Sequence, residues 1–322
     1  MLGSSGGVEV QSIARGVVRS ESDVTVRVTA VGLNALDFAM ARGYGAAVLT
    51  PLRRGSPAVL GRELVGEVLR VGAAVMDLRV GDAVWAALDP WQRAGGALSE
   101  EVVVHESDAS RRPRAWPEET AAGIPFAAMT VWRSVVEHAR KNRARSALVA
   151  GARGNVGSVT VALLREFVPE MRRVEGIGRD EEQLRALEGE QFDVVVDAAS
   201  SQGDPLDLAR FVAPSGLYCS FNSPWMMLAD RHGALPGSIR TAQELLEKKA
   251  QAWTQNGSHY KWGVMRAGGG RALDAIARAI DRQGPLAKTL ADRPLEIVNS
   301  LEEAAKNWED LATLKKKIVV KL

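Results

Sequence analysis

The first hundred residues alternate apolar and polar positions with a period near two. Asp23–Leu33 (DVTVRVTAVGL), Gly66–Gly72, Gly81–Leu88 and Ala97–Ser107 are short, valine-rich and bounded by turn residues, which predicts β-strands. A short helix is expected near Leu36–Arg42. After the proline- and arginine-rich Ser110–Gly123 the period lengthens, and helices are expected over Glu118–Ile124 and Ala127–Lys141. From Ser146 strands and helices alternate: strand SALVAGA, helix GNVGSVTVALLREF, strand Arg172–Gly178, helix Asp180–Leu187, strand Phe192–Ser200, helix Pro205–Val212, strand Gly216–Asn222. That alternation predicts a doubly wound parallel sheet. Ser223–Trp262 reads as mostly helical; its Trp225, Met226, Met227 and Trp253 suit a substrate lid or an interface, and their helical spacing favours core. The tail predicts a helix over Gly270–Gly284, a strand near Leu295–Val298, a helix over Leu301–Leu314 and a last strand in KKIVVKL.

Composition narrows the function. With 322 residues and 46% hydrophobic residues the chain is long enough for two domains, each with its own core. Lys+Arg 41 against Asp+Glu 39 leaves a net charge of +2, so no overall field attracts nucleic acid or a lipid surface, and the basic runs RRPR and KKK read as solvated faces. The single cysteine, Cys219, excludes an internal disulfide and a Cys-rich zinc site. No apolar run approaches the roughly 18 to 20 residues of a membrane span. The opening MLGSSGGVEVQS is neither a signal peptide nor a transit peptide, so for an imported protein the sequence either starts after the presequence or is incomplete.

The chemistry sits in AGARGNVGSV, Ala150–Val159. Gly151, Gly154 and Gly157 form GxxGxxG directly after an apolar strand and at the start of a helix. Glycine there lets the backbone turn tightly and approach a pyrophosphate, whose charge meets the N–H groups and dipole of the helix N-terminus. Asn155 and Val156 fall in the first turn of that helix. Asn155 tolerates left-handed angles; Arg153 either contacts the phosphate or occupies its place. The second strand ends at Gly178–Arg179, where a ribose partner belongs. Arg179 favours the 2′-phosphate of NADP(H), while Glu175 or Asp180 remains available as an NAD-type acid.

The blocks Leu60–Val104, VGLNALDFAMARGYG, AAGIPFAAMTVWRSV, the Gly loop, GSHYKWGVM and the KKIVV end resemble, in order, the zinc-free, quinone-oxidoreductase-like branch of the medium-chain dehydrogenase/reductases. Within that branch the chain looks most like the mitochondrial reticulon-4-interacting oxidoreductases. The resemblance implies an α/β chain with a GroES-like β domain from both chain ends (1–116 and 263–322) and a Rossmann domain between them (117–262). It also implies NADPH as cofactor and a mitochondrial, quinone-linked setting. Where zinc-bearing relatives have Gly-His-Glu, this chain has Gly61-Arg62-Glu63, and cysteines for the other ligands are missing, so no metal site is expected. His105, His138, His232 and His259 have no ligand spacing.

By resemblance the substrate pocket uses Asn34, Asp37 and Tyr44, with Thr130 near the nicotinamide. Lys317 matches the lysine that points at cofactor phosphate, although Lys316 stands where the family has glycine. His259 and Tyr260 match a block at the cofactor cleft. Asn34 and Tyr44 are able to donate to a developing oxyanion; equally, Asn and Asp in NALD suit a helix cap, and Tyr44 suits packing.

Two departures bear on activity. Gly178–Phe192 has room for one helix only, where the family inserts a further strand and helix beside the adenine ribose, and the family's opening strand has no clear counterpart. Two functions follow as expectations. One is a zinc-independent, NADPH-dependent reductase of quinones or enones. The other is a catalytically reduced or inactive homologue held as an accessory subunit of a mitochondrial assembly such as a respiratory-chain complex. A homodimer is compatible with both.

Overall fold

The β1 strand (Asp23–Leu33) organises the N-terminal region because it is buried on both faces and paired along both edges. The structure is a computed structural model and describes residues 8–16, 18–53, 58–90, 95–178, 181–199 and 208–322. Beside β1 lie β2 (Glu63–Val71), β3 (Ala83–Ala87), β4 (Glu101–His105) and β5 (Ala109–Arg111). The central sheet strands are β6 (Ser146–Ala150), β7 (Arg173–Ile177), β8 (Phe192–Asp197), β9 (Val212–Ser220) and β10 (His259–Trp262). The tail adds β11 (Leu295–Val298) and β12 (Lys317–Lys321).

Contacts divide the chain into two units, Met1–Met129 with Arg266–Leu322, and Thr130–Met265. These limits fall beyond the expected joints at 116/117 and 262/263. At the first joint the cause is the helix Glu118–Ala122, which packs on β1, β2 and β12.

In the first unit the sheet order is β11-β12-β1-β2-β3-β5, with β4 also on β1. The first half of β1 pairs with β4 (Asp23↔His105 to Arg27↔Glu101) and its second half with β12 (Ala30↔Lys321 to Leu33↔Ile318). A register shift against β2 falls between Val28 and Ala30, where the neighbour changes. The C-terminal strand is thereby built into the N-terminal sheet. Valine and leucine from β1, β2 and β4 form the core with Phe38, Met40, Leu49 and Trp308. The rings of Phe38 and Trp308 meet with centroids 4.7 Å apart.

The second unit holds a parallel sheet of order β10-β9-β8-β6-β7. Its central strands β6 and β8 are near-continuous apolar runs, as strands covered on both faces require. Strand β6 pairs with β7 on one side and β8 on the other, so the crossover direction reverses at its C-terminal end. Ligands of doubly wound sheets bind at such switch points. The chain is thus an α/β protein with a β-rich unit built from both chain ends and a Rossmann-type parallel sheet.

Several expected elements differ in detail. Pro205–Asp207 of one expected helix lie outside the described residues; Ala209–Phe211 is a single 3₁₀ turn and Val212 already belongs to β9, where it pairs with Phe192. Strand pairing here overrides a helical pattern. The expected helix Leu301–Leu314 is two, Leu301–Lys306 and Trp308–Thr313, broken at Asn307 where Trp308 turns into the core. Helices Ala46–Arg53 and Pro285–Ala291 were not expected, the latter opened by a proline in its first turn. In Ser223–Trp262, Met226 is buried, but Trp253 is 64% exposed on the long helix Ala234–Asn256. Only Gly237 and Thr241 of that helix are buried, so Leu235, Ile239, Leu246 and Trp253 face outward and its Trp/Leu stripe is not core.

Candidate active site

The loop after β6 has the geometry that its glycines predict. Gly151 has φ +78°, and its N–H donates to the Ile177 carbonyl at 2.8 Å, tying the turn to β7. A Cβ on Gly157 would lie 2.1 Å from the Gly151 carbonyl oxygen, so only glycine lets the helix Asn155–Phe167 start this close to the loop. Gly154 is the N-cap of that helix, and no side chain caps its first turn among the described residues. A helix of 13 residues thus presents its first turn at the switch point. Arg153 is exposed, while Asn155 and Val156 are half-buried in the first turn. This backbone cradle fits a dinucleotide pyrophosphate.

On the adenine side, the Gly178 N–H donates to Gln183 Oε1 at 2.8 Å, fixing the end of β7 on the helix Glu181–Arg185. Arg179 and Asp180 lie outside the described residues. Thr130 is buried in the helix Pro125–Val131. The block around Tyr260 sits differently from its expectation. In the parallel register Trp262 is level with Ser220, Asp197 and Ala150 at the C-terminal edge, and His259 is level with Leu217, Val194 and Ala147. His259 is therefore set back by three residues, about 10 Å at the usual rise of a strand, from the edge that carries the Gly loop. Its ring instead meets His138 and Trp253, with centroids 5.9 and 6.3 Å away. Tyr260 is buried against Tyr218, and burial raises its hydroxyl pKa above the ordinary range. The strand end at Trp262, more than His259 or Tyr260, reaches the level expected of the cofactor.

In the first unit, Asn34, Asp37 and Lys317 come together around a residue that the sequence had shown only as part of a motif, Glu63. Leu33↔Ile318 and Gly32↔Glu63 are register partners, so the end of β1 meets the starts of β12 and β2. Glu63 is fully buried. Its Oε1 accepts from Asn34 Nδ2 at 2.9 Å and from the Lys317 ammonium, and its Oε2 from the Phe126 N–H at 2.8 Å. A Cβ at residue 32 would stand 2.6 Å from Oε1, so Gly32 makes room for the carboxylate. Lys317 Nζ also donates to the Leu33 carbonyl at 2.7 Å and to Asn34 Oδ1 at 2.9 Å. An ammonium has three donors, and these three acceptors use them. In this arrangement no donor remains for the cofactor phosphate assigned to Lys317 by resemblance. Lys316 is exposed and pairs with Glu296 at 3.0 Å.

Asp37 closes the turn before the helix Ala35–Ala41. Its Oδ2 accepts from the Asn34 N–H and its Oδ1 from the Gly61 N–H, both at 2.8 Å. This is the return bond of a capping box, extended to β2. Burial raises the Asp37 pKa, opposed by the Arg62 guanidinium. Arg62 is itself 3% exposed, reaches the Gly95 and Val59 carbonyls at 3.4 Å, and has its pKa lowered by burial. Burial also lowers Arg293 to about 10, and its Nη2 donates to the Gly123 carbonyl at 3.2 Å. Tyr44 is half-buried in the turn after that helix, its N–H bonded to the Ala39 carbonyl at 3.0 Å.

The alcohol dehydrogenase GroES-like domain family matches residues 20–114. Over 298 residues the chain is 30% identical to the mitochondrial NAD(P)H oxidoreductase RTN4IP1 of Danio rerio, covering 82% of this chain and 76% of that protein. The chain belongs to the quinone-oxidoreductase-like medium-chain dehydrogenase/reductase family. This family member is also 32% identical over 167 residues to the chloroplastic NADPH-dependent alkenal/one oxidoreductase of Arabidopsis thaliana, covering 50% of this chain and 42% of that one. The quinone oxidoreductase of Coxiella burnetii superposes with a TM-score of 0.68 over 96% of this chain and 93% of that one at 14% identity, a likeness of fold.

For this medium-chain reductase, the site residues that sequence reasoning passed over are Glu63, Arg62 and Arg293. The signal for the first two was legible: Arg62 and Glu63 stand directly before the apolar stretch Leu64–Gly66, where ions are retained only with partners. Arg293 carries no such local mark, because its place is set by the tail folding back onto β1.

Proposed function

We propose that this chain is an NADPH-dependent, metal-independent oxidoreductase of mitochondria that reduces quinones or enones. The Gly151–Gly157 cradle at the switch point of the parallel sheet carries this reading. The family supplies nicotinamide as cofactor and, through its quinone-oxidoreductase-like branch, the quinone class; the name of the Danio rerio relative supplies the mitochondrial setting and that of the Arabidopsis thaliana relative the enone class. Thr130–Met265 serves as the cofactor domain and the β-rich unit as the substrate domain. Metal independence is supported by donor chemistry: Arg62 is a permanent cation that does not ligate a metal, and Cys219 is buried in β9.

Bound NADPH supplies a hydride. The chain's own work is then threefold. The loop N–H groups and helix dipole at Gly154–Gly157 hold the pyrophosphate; Arg179 recognises the 2′-phosphate; Asn34 and Tyr44 donate to the substrate carbonyl as it gains charge.

Quenching of tryptophan fluorescence by NADPH tests the reading. Saturable quenching is expected, and Arg179→Glu should weaken NADPH by roughly 10- to 100-fold, the worth of a charge-assisted contact, with NADH changed much less. No quenching at millimolar NADPH would sink it. It would favour instead a catalytically idle subunit of a mitochondrial assembly, a reading supported by the lone helix Glu181–Arg185 described between β7 and β8.

A further inference from the structure

We infer that the outer face of the helix Ala234–Asn256 is the surface through which two copies of this chain associate, with the two helices antiparallel across a two-fold axis. The surface lies wholly within the unit Thr130–Met265, and the inference stands apart from the reductase reading.

One face of this helix is already satisfied. Gly237 and Thr241 are buried, and a Cβ on Gly237 would lie 2.4 Å from Ala229 Cα, so the helix sits tightly on its neighbour Trp225–His232. On the opposite face Leu235 is 72% exposed, Ile239 52%, Leu246 66% and Trp253 64%. Such exposure is ordinary for a single side chain and uncommon for four in line. The four stand four, seven and seven residues apart, the d and a positions of a heptad. A straight helix drifts by only about 20° per heptad, so they form one narrow stripe along most of its length. That is the form of a seam that receives the knobs of another helix; a face that lies in lipid is broader.

The remaining seam positions, Ala242 and Lys249, fix the direction of the second copy. Set parallel, the two helices would bring Lys249 against Lys249 within the seam. Set antiparallel, so that Leu235 meets Trp253 of the second copy, Ala242 receives Leu246 and the apolar stem of Lys249 covers Ile239 while its ammonium reaches water at the rim. Large then meets small, no like charges oppose, and the two-fold axis makes each contact twice. Beside the seam, Pro236, Gln243 and Ala250 on one flank and Ser238, Leu245 and Ala252 on the other carry no charge, so neither edge repels a second copy. The four exposed apolar side chains of two copies offer on the order of 1,000 Å² for burial, which reaches the size of a specific interface.

Sedimentation equilibrium of the full chain at micromolar concentration tests the inference, and twice the mass of one chain is expected. Leu246→Glu puts two carboxylates in the seam about one helical turn apart and should raise the dissociation constant roughly 100-fold or more. Because Leu246 is exposed in the single chain, its circular dichroism and unfolding temperature should stay unchanged. Val80→Glu, at a residue 64% exposed in the other unit, should leave the dimer intact. Thiol cross-linking reads the direction, since the one native cysteine, Cys219, is buried. Ile239→Cys with Lys249→Cys in the same chain should oxidise to a covalent dimer, whereas Ile239→Cys alone lies about 15 Å from its copy along the antiparallel pair and should not link. A dimer that survives Leu246→Glu, or Ile239→Cys that links by itself, overturns the inference. So does a chain that sediments as a monomer; binding of that monomer to phosphatidylcholine–cardiolipin vesicles would assign the stripe to a lipid surface instead.

Discussion

Gly157 and Gly151 face each other so closely that a Cβ on the first would stand 2.1 Å from the carbonyl oxygen of the second. The obstacle is backbone on both sides, so neither side-chain rotation nor a small shift relieves it. Gly157→Ala should therefore push the helix Asn155–Phe167 off β6 and destabilise the second unit by about 2–3 kcal/mol, as overpacking does. A denaturant titration followed by tryptophan fluorescence measures this. An unchanged midpoint would mean that the loop yields easily and that the cradle is not a rigid feature.

Gly154 provides the contrast. A Cβ there would lie 3.2 Å from the Gly151 oxygen, and its φ of −75° is open to any residue. Gly154→Ala should cost under about 1 kcal/mol. The same methyl would stand where a pyrophosphate approaches the helix N-terminus, so NADPH affinity should fall by about tenfold or more. Stability lost without affinity, or affinity kept, would place the phosphate elsewhere.

The ion pair of Lys317 and Glu63 has side chains 3% and 0% exposed. Removing one partner strands the other charge away from water. Glu63→Gln and Lys317→Met are each expected to cost about 3–5 kcal/mol, and the double variant less than either single change, because no ion is then left unpaired. Thermal or urea unfolding of the four proteins gives the coupling directly. Additive single costs would show that water reaches the site and solvates the stranded charge.

The cofactor loop and the polar cluster were unequally legible in the sequence. Strand, glycines and helix lie within Ser146–Phe167, where a continuous apolar run gives way at the glycines to a period of 3.6, so local pattern alone placed the cradle. Asn34, Glu63 and Lys317 are far apart in the chain, and only the pairing Leu33↔Ile318 and Gly32↔Glu63 joins them. No local periodicity encodes which strand lies beside which. Resemblance supplied Lys317 with a partner, the cofactor phosphate, that its three acceptors in the fold contradict. The long helix Ala234–Asn256 misled for another reason: it has apolar residues on two faces, and pattern does not say which one meets the sheet, so Trp253 reads as core and stands exposed.

His138 supplies a test by pH. Burial first, then the charges of Lys261, His259 and Lys141, lower its pKa from the ordinary 6.5 to about 4. The folded chain therefore takes up this proton less readily than the unfolded chain. Its contribution to stability is complete above pH 6.5 and is lost as the pH falls from there toward 4. The shift would be worth about 3 kcal/mol if fully felt, but the ring is half-buried and screened, so about 1–2 kcal/mol is expected. His138→Gln cannot titrate, and its unfolding temperature should drop less between about pH 7.5 and pH 5 than that of the unmodified protein. His259 is the control: it is exposed and its ring meets that of His138, so His259→Gln should soften the acid loss only slightly. If His138→Gln loses as much stability on acidification as the unmodified chain, the acid sensitivity belongs to carboxylates, and the crowding of positive charge around β10 is without consequence for the fold.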